Sequence, residues 1–424
     1  MNVKYNLAVN TVNAALKVYA HCLPKTVKHK FPEFVKGRVG LVRKIAAEMN
    51  GDESDAPVVW FHAASFGEYA IARPLIAQIR AHGEARVVLT FFSPSGYRPL
   101  KDNHPGVDHV FYLPLDTRSN VRGFLEAIKP KVAVFLVSEY WPNILQELKF
   151  RSVPTFLVSA IIRNDAPFFR RYGKIFRKAL SSYKRFFVLD KNSRENLKSL
   201  GCYNVTLSGD PLFDNASQLA HTPWNDPVLD RFTNQRTEQV FMAGSISDAR
   251  DLEMVRFTLE RHPQLKSIIA PHDISPKALS EVKNSLGEEA ALLSELSETG
   301  NIDGVRHIIV DCMGKLIYMY RYATMAYVGG GFTPFLHSVI EATVYGIPVS
   351  FGPRIERKVT PRQLMELGIG AMVQTPQELN EWVDTLTPEK LEQTRSIADS
   401  YVSRNLGSTR QIVKTIEKEL WPRK

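Results

Sequence analysis

VVWFHAASFGEYAIARPLIAQIRAHGEARVVLTFFS (58–93) reads as strand, helix, strand. The first six residues are almost wholly apolar, 67–82 follows a helical period, and ARVVLTFFS (85–93) is apolar again. A near-continuous apolar run is what a parallel strand needs when helices cover both of its faces. The pattern repeats outward through HVFYLP (109–114), KVAVFLV (131–137), TFLVSA (155–160), RFFVLD (185–190) and YNVTLS (203–208). A second series holds EQVFMAGS (238–245), KSIIAPH (266–272), RHIIVD (306–311), MAYVGG (325–330), IPVSFGP (347–353) and a short AMVQ (371–374).

The expected fold class is therefore α/β, with two Rossmann-like doubly wound domains facing a central cleft. Ligands in such sheets bind at the C-terminal ends of the strands. The spacing predicts a first domain over 1–208 and a second over 238–388. Pro211, Pro223 and Pro227 among polar residues mark 209–237 as the linker. Residues 389–424 read as a helical segment returning to the first domain.

Composition narrows the classes. Of 424 residues, 44% are hydrophobic and 23% charged, a globular balance that excludes disordered and collagen-like chains. Three scattered cysteines without CxxC spacing exclude a disulfide framework and fit a reducing compartment. The charge of +10 favours anionic partners.

No stretch reaches the roughly 20 apolar residues of a bilayer span, and the N-terminus lacks a signal-peptide pattern. Residues 5–23 instead predict a helix with Ala8, Val12, Ala15, Tyr19 and Leu23 on one face, stopped by Pro24. Lys25, Lys28, Lys30, Lys36, Arg38, Arg43 and Lys44 follow. Such a pair can lie on an anionic membrane surface, or be a helix packed on its own domain with a solvated loop after it.

Five segments carry chemistry. In HAASFGEYA (62–70), Gly67 permits close approach to a ligand, and Glu68 is either a helix-start charge or a general base. In SEYWPNIL (138–145), Glu139 ends a strand, with Trp141 and Pro142 beside it. In 159–180, Arg163 follows a strand, and a basic helix alternates Arg170, Arg171, Lys174, Arg177 and Lys178 with aromatic residues. This is a solvated face or a surface for a phosphate or carboxylate. In AGSISDARDLE (243–253), Gly244 and Ser245 form a turn suited to phosphate.

The fifth, YVGGGFTPFLHSVIEATVYGIPVSFGP (327–353), places Gly329, Gly330 and Gly331 in a flexible loop. His337 and Ser338 then open a helix, and Glu341 lies one turn on. That order suits a nucleotide, with N–H groups for phosphate and a carboxylate for ribose. It is neither GxGxxG nor GxxxxGK[ST], which disfavours dehydrogenases and P-loop NTPases. No metal-ligand spacing appears, so no metal or other cofactor is expected.

Taken together in chain order, VKGR (35–38), HAASFGE (62–68), EYWPN (139–143), GDPLFD (209–214), AGS (243–245), VDCMGKL (310–316), VGGG, HSVIEA (337–342) and GIPVSFGP (346–353) resemble the Kdo transferases. These move 3-deoxy-D-manno-octulosonic acid (Kdo) from CMP-Kdo to the lipid A precursor. The resemblance implies the GT-B fold and metal-free inverting transfer in lipopolysaccharide inner-core synthesis. It also implies a peripheral or monotopic place on the cytoplasmic face of the bacterial inner membrane, and no nucleic-acid partner. By position, Glu68 matches the family's base, and Glu139 the second acid of its Glu-x-Glu-x-Trp-Pro-Asn motif. Ser245, Gly314, His337, Ser338 and Glu341 match positions around CMP. Gly330, Gly331 and His272 are further donor candidates, and Arg163 is a candidate for the Kdo carboxylate or a lipid phosphate. Three positions depart from the pattern. Val137 replaces the first acid, FLHS (335–338) replaces Gly-Gly-His-Asn, and APHDISP (270–276) replaces Pro-Arg-His-Pro. The competing readings are a UDP-sugar transferase or epimerase on the same fold, and a non-catalytic membrane-associated binding protein.

Overall fold

The computed structural model describes residues 3–22, 30–52, 54–102, 104–236, 238–356 and 358–422. The chain divides into two compact units, Met1–Asn215 with Leu406–Lys424, and Ala216–Asn405.

The first unit is built on seven parallel strands: β1 (Val58–Ala63), β2 (Arg86–Phe91), β3 (His109–Tyr112), β4 (Val132–Leu136), β5 (Thr155–Ala160), β6 (Arg185–Val188) and β7 (Val205–Leu207). Their order is β3-β2-β1-β4-β5-β6-β7. Apart from the edge strand β7, the strands are buried on both faces, as the apolar runs require. In β1, Trp60 packs edge-on against Phe124 and Phe135, while Val59 and Phe61 fill the core of the other face. Burying each such side chain contributes about 1.5–3 kcal/mol.

The second unit repeats the plan with β8 (Val240–Ile246), β9 (Lys266–Pro271), β10 (Ala290–Leu292), β11 (His307–Ile309), β12 (Met325–Val328), β13 (Val349–Phe351) and β14 (Gly370–Met372). Their order is β10-β11-β9-β8-β12-β13-β14. In each sheet the order reverses beside the first strand, at β1/β4 and at β8/β12.

Several expectations need correction. Residues 209–237 are not a bare linker, because they form the helices Pro211–His221 and Pro227–Phe232. Pro211 and Pro227 stand at helix starts, where a missing N–H costs nothing. The C-terminal segment is two helices, Pro388–Asn405 in the second unit and Ser408–Leu420 in the first. Gly407 separates them at φ 90°. The expected basic helix from residue 170 is two 3-10 turns, Pro167–Phe169 and Arg171–Gly173, followed by the helix Lys174–Leu180.

The helix Val3–His21 has no fully buried residue. The expected apolar face, Ala8, Val12, Ala15 and Tyr19, points outward, as do Val3, Leu7 and Val18. Polar side chains take part in the docking, beside a ring contact of Tyr19 with Phe31 at 5.7 Å. Tyr5 donates to Asp116 at 2.6 Å, and Asn143 donates to Asn6 at 2.8 Å. No helix among the described residues is long and apolar enough to cross a membrane. Leu23, Pro24, Lys25 and Lys28 lie outside the described residues. Arg38 is no free surface cation. It donates to the carbonyls of Leu113, Phe34 and Phe92 at 3.0, 3.0 and 2.8 Å, and its guanidinium lies 3.8 Å from the Phe34 ring centre.

Candidate active site

In the first unit the chain leaves β1 and β4 side by side at the strand-order reversal, where open α/β sheets hold ligands. The exit from β4 is strained. Val137 has φ 62°, a left-handed conformation that a β-branched residue adopts only under constraint. Such a residue costs on the order of 1–3 kcal/mol and gathers at functional sites. Ser159 (φ 54°) near the end of β5 and Ser245 (φ 55°) near the end of β8 are held the same way.

His62, in β1, is fully buried on the Trp60 face. Its Nδ1 is 2.9 Å from Thr90 Oγ1, and its Nε2 is 3.3 Å from Glu139 Oε2. Glu139 is buried and accepts a hydrogen bond from the Trp141 indole. Glu68 turns back on the start of its own helix, Phe66–His82, where its Oε2 accepts from the Ala64 and Ser65 backbone N–H groups. Burial first, and the Glu139 charge second, push its carboxyl up to about 7 against those N–H groups and His62. The helix-start role is thus real. It coexists with a carboxylate poised to exchange protons at neutral pH, as a general base requires. Apart from its neighbours in its own helix, no atom of the described residues lies within 4 Å of the position a Gly67 Cβ would take, which leaves room for a ligand there.

Asp116 fixes the other wall. It accepts from Tyr5 and from the backbone N–H groups of Asn143 and Ile144 at 3.0 and 2.8 Å. The Asn143 amide donates to the Asp116 carbonyl. This clamps the start of the helix Pro142–Phe150, and with it Trp141. Arg163 pairs with a different carboxylate. It forms a two-pronged pair with Asp165 at 2.8 and 2.6 Å on the surface, so its guanidinium is already engaged.

In the second unit the β8/β12 reversal is organised by Asp251, which is fully buried. It accepts from Tyr327 hydroxyl and Gly330 N–H at 2.8 Å, and from Ser247 N–H at 3.0 Å. Asp248 accepts from the N–H groups of Arg250 and Asp251, so the helix Ala249–Arg261 starts already capped. The N–H groups expected to meet phosphate beyond Ser245 are largely taken by these two acids. Nor is the glycine run loose. A Cβ on Gly329 would collide with the Ser245 carbonyl, and one on Gly331 would lie 2.5 Å from the Gly352 nitrogen. The glycines let three backbone segments cross.

His337 and Ser338 precede a helix of only four residues, Ile340–Thr343. His337 Nε2 is 2.8 Å from Ser247 Oγ, and its ring centre is 4.7 Å from that of His272. Burial first, then the His272 and Lys358 charges, push His337 down to about 4. Glu341 is pushed up to about 7 by burial alone. Gly314 sits at φ 82° on the exposed turn after β11. The structure therefore gathers Ser245, His272, Gly330, Gly331 and His337 around the β8/β12 exits.

Sequence reading passed over His62, Asp116 and Asp251. His62 is hidden in an apolar run, and Asp251 looks like one of several helix-start acids.

Residues 34–215 match the family described as 3-Deoxy-D-manno-octulosonic-acid transferase (kdotransferase). The 3-deoxy-D-manno-octulosonic acid transferase of Haemophilus influenzae is 26% identical over 69% of this chain and 70% of its own. That of Aquifex aeolicus is 26% identical over 76% and 83%. A probable mitochondrial one of Arabidopsis thaliana is 27% identical over 83% and 82%. In fold, the UDP-GlcNAc 2-epimerase of Neisseria meningitidis, solved with UDP-GlcNAc, matches at TM-score 0.60 and 14% identity. That match covers 86% of this chain and all of that one. The fold is GT-B.

Proposed function

We propose, for a chain that belongs to the 3-deoxy-D-manno-octulosonic acid (Kdo) transferase family, that it moves Kdo from CMP-Kdo to a hydroxyl of the lipid A precursor, inverting the anomeric centre without a metal. The observation that carries the reading is the Glu68–His62–Glu139 group at the β1/β4 reversal, inside the stretch matched by the family.

Glu68 takes the proton of the acceptor hydroxyl as it attacks the anomeric carbon and the CMP phosphate departs. His62, buried between Thr90 and Glu139, holds Glu139 in place. In the second unit, Ser247, His337 and Ser338 face the leaving phosphate, and Glu341 is assigned to the ribose. Asp251 holds the loops that carry these groups. Arg163 reaches a substrate carboxylate or phosphate only by releasing Asp165. Family membership and the outward apolar face of the helix Val3–His21 support a place on the cytoplasmic face of the inner membrane, where the acceptor's acyl chains stay.

The test is a reaction containing purified protein, CMP-Kdo and the tetraacyl lipid A precursor, read by mass spectrometry. A product heavier by one or more Kdo units is expected, and an unchanged acceptor would refute the proposal. Thermal unfolding with CMP or UDP discriminates the donor. A ligand at 100 times its Kd adds about 2.7 kcal/mol, and CMP is expected to stabilise the protein more than UDP.

A further inference from the structure

His62 has no exposed surface. Its Nδ1 lies 3.1 Å from the Thr90 carbonyl and 2.9 Å from Thr90 Oγ1. A carbonyl can only accept, so Nδ1 carries a hydrogen. Thr90 Oγ1 also accepts the Trp60 indole N–H at 2.8 Å, which holds the threonine in turn. The Phe135 ring packs edge-on against the imidazole at 5.7 Å. The other ring nitrogen, Nε2, is buried and has no hydrogen-bond partner among the described residues. What it faces is Glu139 Oε2, at 3.3 Å.

A neutral imidazole with its hydrogen on Nδ1 would turn a bare lone pair toward that carboxylate. In a dry interior two such electron-rich atoms repel, and neither gains a partner. A second proton on Nε2 reverses the sign of the contact. Glu139 needs the charge. It is buried, and among the described residues no lysine or arginine pairs with it. A buried carboxylate without a countercharge is costly. The uncharged donors around it supply only dipoles: the Trp141 indole donates to Oε2, and the Tyr183 hydroxyl to the Glu139 carbonyl. The other titratable groups that face this pair are Glu68, Tyr140 and Tyr183, and none of them is a cation.

We propose that His62 carries a second proton on Nε2 and is a positioning residue. Its charge holds Glu139 and offsets it, so that Glu68 gives up its proton beside a neutral pair instead of a bare carboxylate. The role toward Glu68 rests on the reading of Glu68 as the base, whereas the place of the proton rests on His62 and Glu139 alone.

The first test needs no substrate. The full chain, with isotope-labelled histidine, is examined by nitrogen NMR near neutral pH, and the signals missing from His62→Gln or His62→Asn identify His62. An imidazolium has a hydrogen on both ring nitrogens. Both nitrogens of His62 should be protonated. A bare Nε2 would overturn the proposal, whether or not the chain transfers Kdo.

The second test is the pH profile of kcat/KM. Asn keeps an N–H where Nδ1 was, Gln keeps one where Nε2 was, and neither carries charge. With the imidazolium gone, Glu68 ionises less readily, so both variants should move the acid limb upward by about one unit, a usual effect of a nearby charge. The rate should then be roughly tenfold lower about one unit below the wild-type limb, and near wild type about two units above it. Stabilisation by CMP should stay as it was. A limb that stays in place in both variants, or one that Gln alone restores, would overturn the role of the charge.

Discussion

His62 Nε2 stands 3.3 Å from Glu139 Oε2, with both side chains buried where β1 and β4 end. Glu139 in turn is the second cause, after burial, that raises Glu68. Three residues from two strand exits thus form one electrostatic unit. Glu139→Gln should move the acid limb of the kcat/KM pH profile downward, because the charge opposing ionisation of Glu68 is gone. A limb that stays in place would separate Glu139 from Glu68.

The Glu68 carboxyl at about 7 gives its own signature. A base must be deprotonated, so activity should be full above that value and fall as pH drops through it. Glu68→Gln should lower kcat by about 10²–10⁴-fold, the usual worth of a general base, while CMP still raises the unfolding temperature. Turnover at the wild-type rate would remove Glu68 from the role.

Asp251→Ala would leave Tyr327 hydroxyl and the Ser247 and Gly330 N–H groups without their acceptor. Leaving one buried polar group unpaired costs about 1–3 kcal/mol. Thermal unfolding should therefore drop clearly, and the stabilisation given by CMP should shrink with it. Asp251→Asn, which keeps one carbonyl acceptor, should do less damage to both.

His337 is held at about 4, below its ordinary value, chiefly by burial. The unfolded chain therefore binds a proton there that the folded chain refuses. That contribution to stability is complete above pH 6.5 and disappears as pH falls toward 4. Replacing His337 with Gln should flatten this part of the curve of unfolding free energy against pH.

Tyr5→Phe removes the hydroxyl that Asp116 accepts. A hydrogen bond to a charged group is worth about 1.5–3 kcal/mol. Amide exchange in the helix Val3–His21 should speed up more than in the sheets. Exchange rates that match the wild type would show that the docking relies on other contacts.

Most of the scaffold was legible because strands buried on both faces write themselves as apolar runs, and thirteen of those runs coincide with β-strands of the structure. β10 escaped notice. Its three residues sit in EEAALLSEL (288–296), which is made of good helix formers, and so short an edge strand shows no period of its own. Proline misled at 211 and 227, where it starts helices rather than marking a loop.

At the candidate site, the acids at chain junctions were visible in the sequence: Glu68 at a helix start and Glu139 just past β4. The site was illegible where a residue's partner comes from another strand. Thr90 makes sense of His62, and Gly330 makes sense of Asp251, only once β1 lies against β2 and β8 against β12. The glycine run was read as flexibility when its role is to let backbones touch, which depends on Ser245 and Gly352 far along the chain.

The helix Val3–His21 has no fully buried residue and is hydrogen-bonded to the first unit through Tyr5 and Asn6. It is therefore a detachable part. Shortening the gene past it should yield a protein that still folds and is easier to keep in aqueous solution, with Asp116 and Asn143 newly wetted. Grafting a different amphipathic segment there could send the same catalytic body to another surface, provided the graft supplies a phenol and an amide to occupy those two anchor points.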